Sequence, residues 1–110
     1  MSEIEMIDLS YNFIKDLKDL KKFSKLLSLN MASNKIIMKT ILDMPISLKK
    51  LNISDNQINS LSIKNNGSFT SYFQNLVNLE ELDLSFNNLE KIDERVFSTN
   101  LKLSVFFLNK

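Results

Sequence analysis

The chain contains 110 residues, 44% of them hydrophobic, with a formal net charge of +1 at pH 7, which fits one soluble globular unit. Cysteine and histidine are both absent, which argues against the usual zinc clusters and thiolate or imidazole chemistry, and we expect no metal and no cofactor. The near-neutral charge gives no indication of a nucleic-acid partner. No run approaches the ~18 apolar residues of a spanning helix, and the N-terminus lacks a secretion signal. The chain as written is therefore predicted to be cytoplasmic, with no membrane contact from this segment.

From the N-terminus, the first predicted element is a short strand in which apolar Ile7 and Leu9 alternate with other residues. Alternation places side chains i and i+2 on one face of a strand. The strand belongs to a frame of four apolar residues and one asparagine that recurs along the chain. The frames are Ile4-Ile7-Leu9-Asn12-Ile14, Leu26-Leu29-Met31-Asn34-Ile36, Leu48-Leu51-Ile53-Asn56-Ile58 and Leu79-Leu82-Leu84-Asn87-Leu89. One strand per repeat, always running in the same direction, predicts a parallel sheet.

The recurring asparagine falls where the chain leaves each strand and turns into the stack of repeats. Backbone groups buried at such a turn have no helix or sheet partner, and a carboxamide offers two donors and an acceptor to them. We therefore expect a structural role for these asparagines, which are called the asparagine ladder below. The ladder consists of Asn12, Asn34, Asn56 and Asn87.

The segments that return the chain from one strand to the next differ among the repeats. In the first return, Leu17, Leu20 and Phe23 recur at three-residue spacing, which favours a 3₁₀ or short helical segment. The third return is longer and contains a turn-rich insertion around positions 62–70, with Asn65-Asn66-Gly67-Ser68 inside it. We expect a loop or bulge on the outer face, and a neutral surface loop is favoured over a binding loop.

The frames resemble those of leucine-rich repeat proteins. The first repeat resembles the class of about 22 residues per repeat found in a protein phosphatase regulatory subunit, axonemal dynein light chain and bacterial internalins. The fourth, with Phe97 in its outer turn, looks like the longer repeats of animal extracellular proteins and Toll-type receptors. The resemblance implies an α/β leucine-rich-repeat solenoid, a horseshoe arc with one parallel sheet of about five short strands inside and short helical, 3₁₀ or extended returns outside.

The repeats divide residues 1–110 into one domain that consists of repeats 4–25, 26–47, 48–78 and 79–102 and a partial repeat 103–110. Neither end has the polar outer face that closes a solenoid. We therefore expect a fragment of a longer array. The alternative is self-association through the uncapped ends, because open sheet edges are normally avoided.

Candidate binding residues occupy the strand positions that point away from the core, on the inner surface of the predicted arc. Exposed aromatic residues on a rigid sheet are common interface anchors. Phe86 is the strongest candidate for such an anchor. For Tyr11 and Phe107, a role as an anchor and coverage by a neighbouring repeat or a missing cap are equally compatible with the pattern. On adjacent strands, Lys49 is expected to face Glu80 and Lys50 to face Glu81, as exposed ion pairs. The predicted partner-binding set is Tyr11, Asn30, Asn52, Asp55, Asp83 and Phe86.

These features indicate a non-catalytic module that binds another protein. An alternative is a fragment of an extracellular or receptor-type recognition ectodomain, favoured by the fourth repeat and by two glycosylation sequons that begin at Asn52 and Asn66. A remote alternative is a glycosidase-like enzyme that uses Glu80 and Asp83. Without histidine or a phosphate-cradling glycine loop, catalysis is not expected.

Overall fold

The computed structural model describes residues 3–109, which form a solenoid around one parallel sheet. Each repeat contributes one three-residue strand, because the apolar alternation extends only across the centre of each frame. In their order across the sheet, the strands are β1 (Met6–Asp8), β2 (Ser28–Asn30), β3 (Lys50–Asn52), β6 (Glu81–Asp83) and β7 (Val105–Phe107). The remaining two strands form a separate hairpin that is described below. The predicted parallel sheet of about five short strands is therefore confirmed.

The central residue of each strand points into the core. Leu29, Leu51 and Leu82 are aligned in register across the inner strands and are almost completely buried. Burial of one such side chain stabilises the fold by about 2 kcal/mol. At the two outer strands, Ile7 is only partly buried and Phe106 is 39% exposed. The core is thus densest in the middle of the stack.

The returns contain little helix. The first includes a 3₁₀ helix at Leu20–Lys22, as the three-residue spacing predicted, and the second includes a longer one at Met38–Asp43. Met44 follows in an extended conformation, because the residue before a proline is restricted to that region. Within residues 3–109, none of the helices is long and apolar enough to cross a membrane.

The insertion in the third return folds into an antiparallel hairpin of β4 (Ser62–Asn65) and β5 (Ser68–Ser71). The prediction of a loop or bulge was therefore wrong. Asn66 and Gly67 have φ angles of 50° and 84°, and positive φ at both central positions is the turn that best fits the twist of a two-residue hairpin. The Asn-Gly pair is the local signal that predicts this hairpin.

Charged and aromatic side chains attach the hairpin to the fourth return. Lys64 Nζ lies 3.6 Å from Asp93 Oδ2, and Arg95 Nη2 lies 2.8 Å from the same oxygen. The Arg95 guanidinium also lies 4.1 Å from the centroid of the Phe69 ring. Hydrogen bonds from the side chain and backbone of Arg95 hold the pKa of Asp93 well below its usual range, so this carboxylate stays ionised in neutral solution.

Phenylalanine rings from the third return, the fourth return and β7 pack against one another. The Phe97 ring lies 5.5 Å from that of Phe73 and 5.3 Å from that of Phe106, measured between centroids. Beside them, the buried Asn100 side chain donates from Nδ2 to the carbonyls of Phe73 and Leu76, both at 2.9 Å. This carboxamide links the last return to the preceding one, and sequence analysis did not identify it.

Candidate functional site

The strands present one face away from the core, which we call the open sheet face. It is formed by the first and third residues of each strand, because the second residue points inward. Pairing aligns these residues in two rows across the sheet. One row is Met6, Ser28, Lys50, Glu81 and Val105, and the other is Asp8, Asn30, Asn52, Asp83 and Phe107.

Four of the five residues in the second row close the end of their strand with the same local hydrogen bond. A side-chain oxygen of Asp8, Asn30, Asn52 or Asp83 accepts the backbone N–H two residues later, at 2.9, 3.0, 3.0 and 2.9 Å respectively. This is the turn that aspartate and asparagine characteristically form with their own backbone. Asn30, Asn52 and Asp83, predicted as binding residues, therefore also shape the strand ends. The recurring Asp or Asn at this position was the signal for that role.

The position directly before each ladder asparagine is held in the left-handed backbone region in four successive repeats. Tyr11, Ser33, Asp55 and Phe86, each directly before a ladder asparagine, have φ angles of 58°, 57°, 54° and 58°. The first three donate their backbone N–H to a carbonyl of the next repeat at 2.9 Å. These regular bonds offset the roughly 1 to 2 kcal/mol that the left-handed region costs a residue with a Cβ. The result is a third row of outward side chains, which we include in the open sheet face and call its outermost row.

The ladder asparagines lie below this row and connect adjacent repeats. Asn56 is 2% exposed; its Nδ2 lies 2.9 to 3.1 Å from three backbone carbonyls, including that of Met31 in the preceding repeat. Its Oδ1 accepts the N–H of Ile36 at 3.0 Å. Asn34 and Asn87 make equivalent contacts. Asn12 is exposed and donates only within its own repeat among the described residues.

The structure brings the predicted binding residues together in two adjoining depressions on the open sheet face. The larger one has a volume of about 620 Å³, and Tyr11 and Phe86 lie at opposite ends of its outermost row. Asn30, Asn52 and Asp55 also line it. The smaller one has a volume of about 260 Å³; it shares Asn30 and Asn52 with the first, and Asp83 lines it as well.

Aromatic exposure differs along this face. Tyr11 is 82% exposed and Phe86 62% exposed, so neighbouring repeats among the described residues leave both rings accessible. Phe107 is 50% exposed and lines the smaller depression. Exposure of aromatic rings of this size to water is unfavourable, and their burial by another surface is favourable.

One of the two predicted cross-strand ion pairs is present. Lys50 Nζ lies 3.8 Å from Glu81 Oε2, and both side chains are largely in contact with solvent, so the pair contributes little to stability. The prediction for Lys49 and Glu80 was wrong, since no ion pair joins them within residues 3–109. Their contact is a backbone one, in which Glu80 N–H donates to Lys49 O at 2.8 Å.

The charges on the face are otherwise acidic. Asp8, Asp55 and Asp83 form no ion pair with any described residue. Hydrogen bonds from the Ser10 hydroxyl and backbone N–H lower the pKa of Asp8, which keeps its carboxylate ionised. The part of the chain that the structure describes contains no cluster of three metal-ligating residues. Of the two carboxylates of the enzyme alternative, Asp83 lines the smaller depression and Glu80 does not.

The two sequons lie in different surroundings. Asn52 is part of the sheet, and its Oδ1 accepts hydrogen bonds from the Ser54 N–H at 3.0 Å and the Ser54 hydroxyl at 2.7 Å. Asn66 is exposed in the turn of the hairpin. A group attached to Asn66 would project into solvent, whereas one on Asn52 would cover the open sheet face.

Comparison with protein families identifies repeats of one type. A family model described as Leucine Rich Repeat matches residues 78–100, and a second model described as Leucine Rich repeat matches residues 45–66. These matches cover the fourth repeat and much of the third. The first two repeats are placed in the same fold by the sheet register.

Two curated relatives come from Rattus norvegicus. Osteomodulin is 33% identical over 99 residues, which is 86% of this chain and 22% of osteomodulin. Toll-like receptor 4 is 47% identical over 47 residues, which is 43% of this chain and 5% of the receptor. The chain thus spans less than a quarter of the length of either relative.

Solved structures show the same fold. A chain in the Toll–Spatzle complex from Drosophila aligns with 88% of this chain, over 16% of its own length, at 22% sequence identity and a TM-score of 0.53. An internalin from Listeria monocytogenes aligns with 88% of this chain, over 32% of its own length, at 17% identity and the same TM-score of 0.53. The two family matches and the similarity to osteomodulin and Toll-like receptor 4, together with the strand register, establish that the chain belongs to the leucine-rich repeat proteins.

Proposed function

We propose that this chain is a non-catalytic protein–protein interaction module that binds a partner through the open sheet face, the concave side of the predicted arc. Leucine-rich repeat domains commonly bind proteins, and one structural neighbour comes from a complex between Toll and Spatzle. The observation that carries the proposal is the pair of exposed rings, Tyr11 and Phe86, which line one depression together with polar side chains. The proposed contact set is Tyr11, Asn30, Asn52, Asp55, Asp83 and Phe86.

The backbone below these side chains favours binding because it is already ordered. The backbone of Tyr11 and Phe86 has the same positive φ, and their N–H groups donate to the carbonyls of Ala32 and Asn109 in the next repeat. A partner that covers the rings therefore gains apolar contact without the cost of ordering a loop. Polar groups around the rings supply hydrogen bonds that fix the orientation of the partner.

The test is selection of binding peptides from an unbiased displayed library, with chemical-shift changes used to locate the bound peptides. Binders are expected to affect Tyr11, Asp55 and Phe86. We predict that Phe86→Ala weakens their binding by about 2 kcal/mol, or roughly thirtyfold, as loss of an interface anchor does. Ile46→Ala is the matched control, since Ile46 is 58% exposed but lies in a return away from the sheet.

Two results would contradict the proposal. One is a library in which no selected peptide shifts residues of the open sheet face. The other is a large fall in melting temperature for Phe86→Ala with unchanged affinity, which would assign the ring to the core.

A second candidate is a receptor-type recognition ectodomain of which this chain is a piece. It is supported by the 47% identity to Toll-like receptor 4 and by the exposed sequon at Asn66. On this proposal the chain is extracellular rather than cytoplasmic. Recovery of a transcript that joins these repeats to a secretion signal would support it, and an intact cytosolic product that ends at Lys110 would contradict it.

A further inference from the structure

We infer that the segment bound by the open sheet face is cationic, an extended stretch of a partner protein that carries arginine or lysine side chains. The inference rests on the binding function proposed above and adds the chemistry of the partner.

The first argument is the charge that the face leaves uncompensated. Its one basic side chain among the strand residues, Lys50, is paired with Glu81. Asp8, Asp55 and Asp83 have no ion-pair partner within the described chain. A partner of complementary charge would be attracted to these carboxylates over a Debye length of about 8 Å at physiological salt.

The second argument is the spacing of these carboxylates. Asp8 and Asp83 lie in the same row with Asn30 and Asn52 between them, so about 14 Å of strand spacing separates them. Asp55 lies in the next row and accepts a hydrogen bond from the Ser33 hydroxyl at 2.9 Å. Carboxylates dispersed in this way cannot converge on one metal ion. They match several cationic side chains along an extended segment.

The third argument is the position of the aromatic rings. Phe86 follows Asp55 in the outermost row, and their repeats are directly paired. A guanidinium can stack on an aromatic face and pair with a carboxylate at the same time. Tyr11 offers a second exposed ring at the other end of the row. One arginine could thus contact Asp55 and Phe86 together, which neither an acidic nor a purely apolar segment could do.

Apart from Lys50, which is paired with Glu81, the positive charge of the chain lies outside the three rows of the open sheet face. A group of exposed lysines follows the first strand along the first return, on the outer side of the solenoid. The group is Lys15, Lys18, Lys21, Lys22 and Lys25. The formal net charge of +1 therefore conceals an acidic binding face and a basic outer side, and this arrangement directs a cationic partner to the sheet.

The sequence itself supplies a substitution that removes charge and keeps a side-chain oxygen as the hydrogen-bond acceptor. Asn30 and Asn52 make the same strand-end hydrogen bond as Asp8 and Asp83. The triple variant Asp8→Asn, Asp55→Asn, Asp83→Asn therefore keeps each oxygen acceptor and loses three negative charges. The matched control neutralises three exposed carboxylates in the returns, with Asp43→Asn, Glu90→Gln and Glu94→Gln.

The experiment selects peptides from the unbiased library with wild type, the triple variant and the control, and measures their affinities at low and high salt. Peptides that shift residues of the open sheet face are expected to be enriched in arginine and lysine. The triple variant should bind them about tenfold more weakly, as loss of a few partly exposed ion pairs predicts, and the control should bind as wild type does. The reverse variant Asn30→Asp, Asn52→Asp should bind them more tightly.

The outcomes separate this inference from the binding function. Peptides that bind the open sheet face but are neutral or acidic, or that bind wild type and the triple variant equally, would overturn the cationic partner and leave the binding function in place. Selection of no peptide that contacts this face would overturn both. Melting curves of all variants check that the changes in affinity do not come from unfolding. The reverse variant tests independently whether added negative charge on the face raises the affinity.

Discussion

The asparagine ladder and the β4–β5 hairpin both depend on polar contacts, yet water has very different access to them. Asn56 in the ladder is 2% exposed and hydrogen-bonds to backbone groups of two repeats. Where the hairpin meets the fourth return, Lys64 and Arg95 contact Asp93 with side chains that are 66% and 56% exposed. Loss of a buried polar partner leaves groups that water cannot reach, whereas loss of an exposed one is compensated by hydration.

The difference has a consequence for the site. Tyr11, Asp55 and Phe86 each lie directly before a ladder asparagine, so the ladder fixes the row that we propose contacts a partner. The hairpin lies in a return and contributes no residue to either depression of the open sheet face. Damage to the ladder should therefore affect both stability and binding, while damage to the hairpin should remain local.

The largest effect in this comparison is expected from Asn56→Ala. Because the substitution leaves buried backbone groups without partners, we predict a loss of roughly 1 to 3 kcal/mol in the free energy of unfolding. Urea denaturation measures it. The matched control is Asn12→Ala, which removes an exposed member of the ladder and should cost much less. Equal losses for the two variants would show that burial is not what distinguishes them.

A smaller effect is expected from Gly67→Ala in the hairpin turn. Nothing lies within 4 Å of an added Cβ, so the cost comes from the backbone, where φ is +84°. We predict about 1 kcal/mol of destabilisation, seen as faster amide exchange in β4 and β5 with little change in β3. Gly67→Asn is the control, since asparagine tolerates positive φ better. A uniform increase in exchange across the sheet would contradict a local role for the hairpin.

The smallest effect is expected from the charged contacts of Asp93 between the hairpin and the fourth return, and it depends on pH. The pKa of Asp93 is lowered from its ordinary value of 3.8 by hydrogen bonds from Arg95. A lowered pKa in the folded state contributes stability that is present above 3.8 and is lost as the pH falls below that value. Wild type should therefore protect hairpin amides better than Asp93→Asn in neutral solution, and the difference should shrink in acid.

Glu94→Gln serves as the control for this pH dependence, because Glu94 is exposed and forms no ion pair within the described residues. Its hairpin exchange should follow that of wild type at each pH. A difference between wild type and Asp93→Asn that grows as the pH falls would contradict a stabilising role for the ionised Asp93 carboxylate.

Much of the fold could be predicted because it depends on local patterns. Alternating apolar residues such as Leu29 and Met31 specify a strand and its inward face, and repetition of the frame specifies parallel neighbours. The hairpin was missed although Asn66-Gly67 is a local signal, because the turn-rich insertion was expected to form a loop or bulge. For the ladder, the register placed Asn34, Asn56 and Asn87 at the turns, where each contacts an adjacent repeat.

The candidate site was less accessible to sequence reasoning. The pattern identified Phe86 and Asp55 as outward residues, but it could not show that a left-handed backbone recurs at this position in four repeats. It also paired Lys49 with Glu80 by register alone, and side-chain directions in the structure leave that pair unformed. Long side chains choose among several rotamers, and register does not determine which one they adopt.

By itself, the sequence determined the repeat frame, the parallel sheet and the inward or outward position of nearly every strand residue, because periodicity and burial are properties of short segments. Tertiary structure decided which side chains share a depression, which charges remain unpaired and which asparagines are buried. Those features depend on contacts between residues that lie about one repeat apart in the chain and one strand apart in space. The acidic and aromatic character of the open sheet face emerges only when the repeats are stacked.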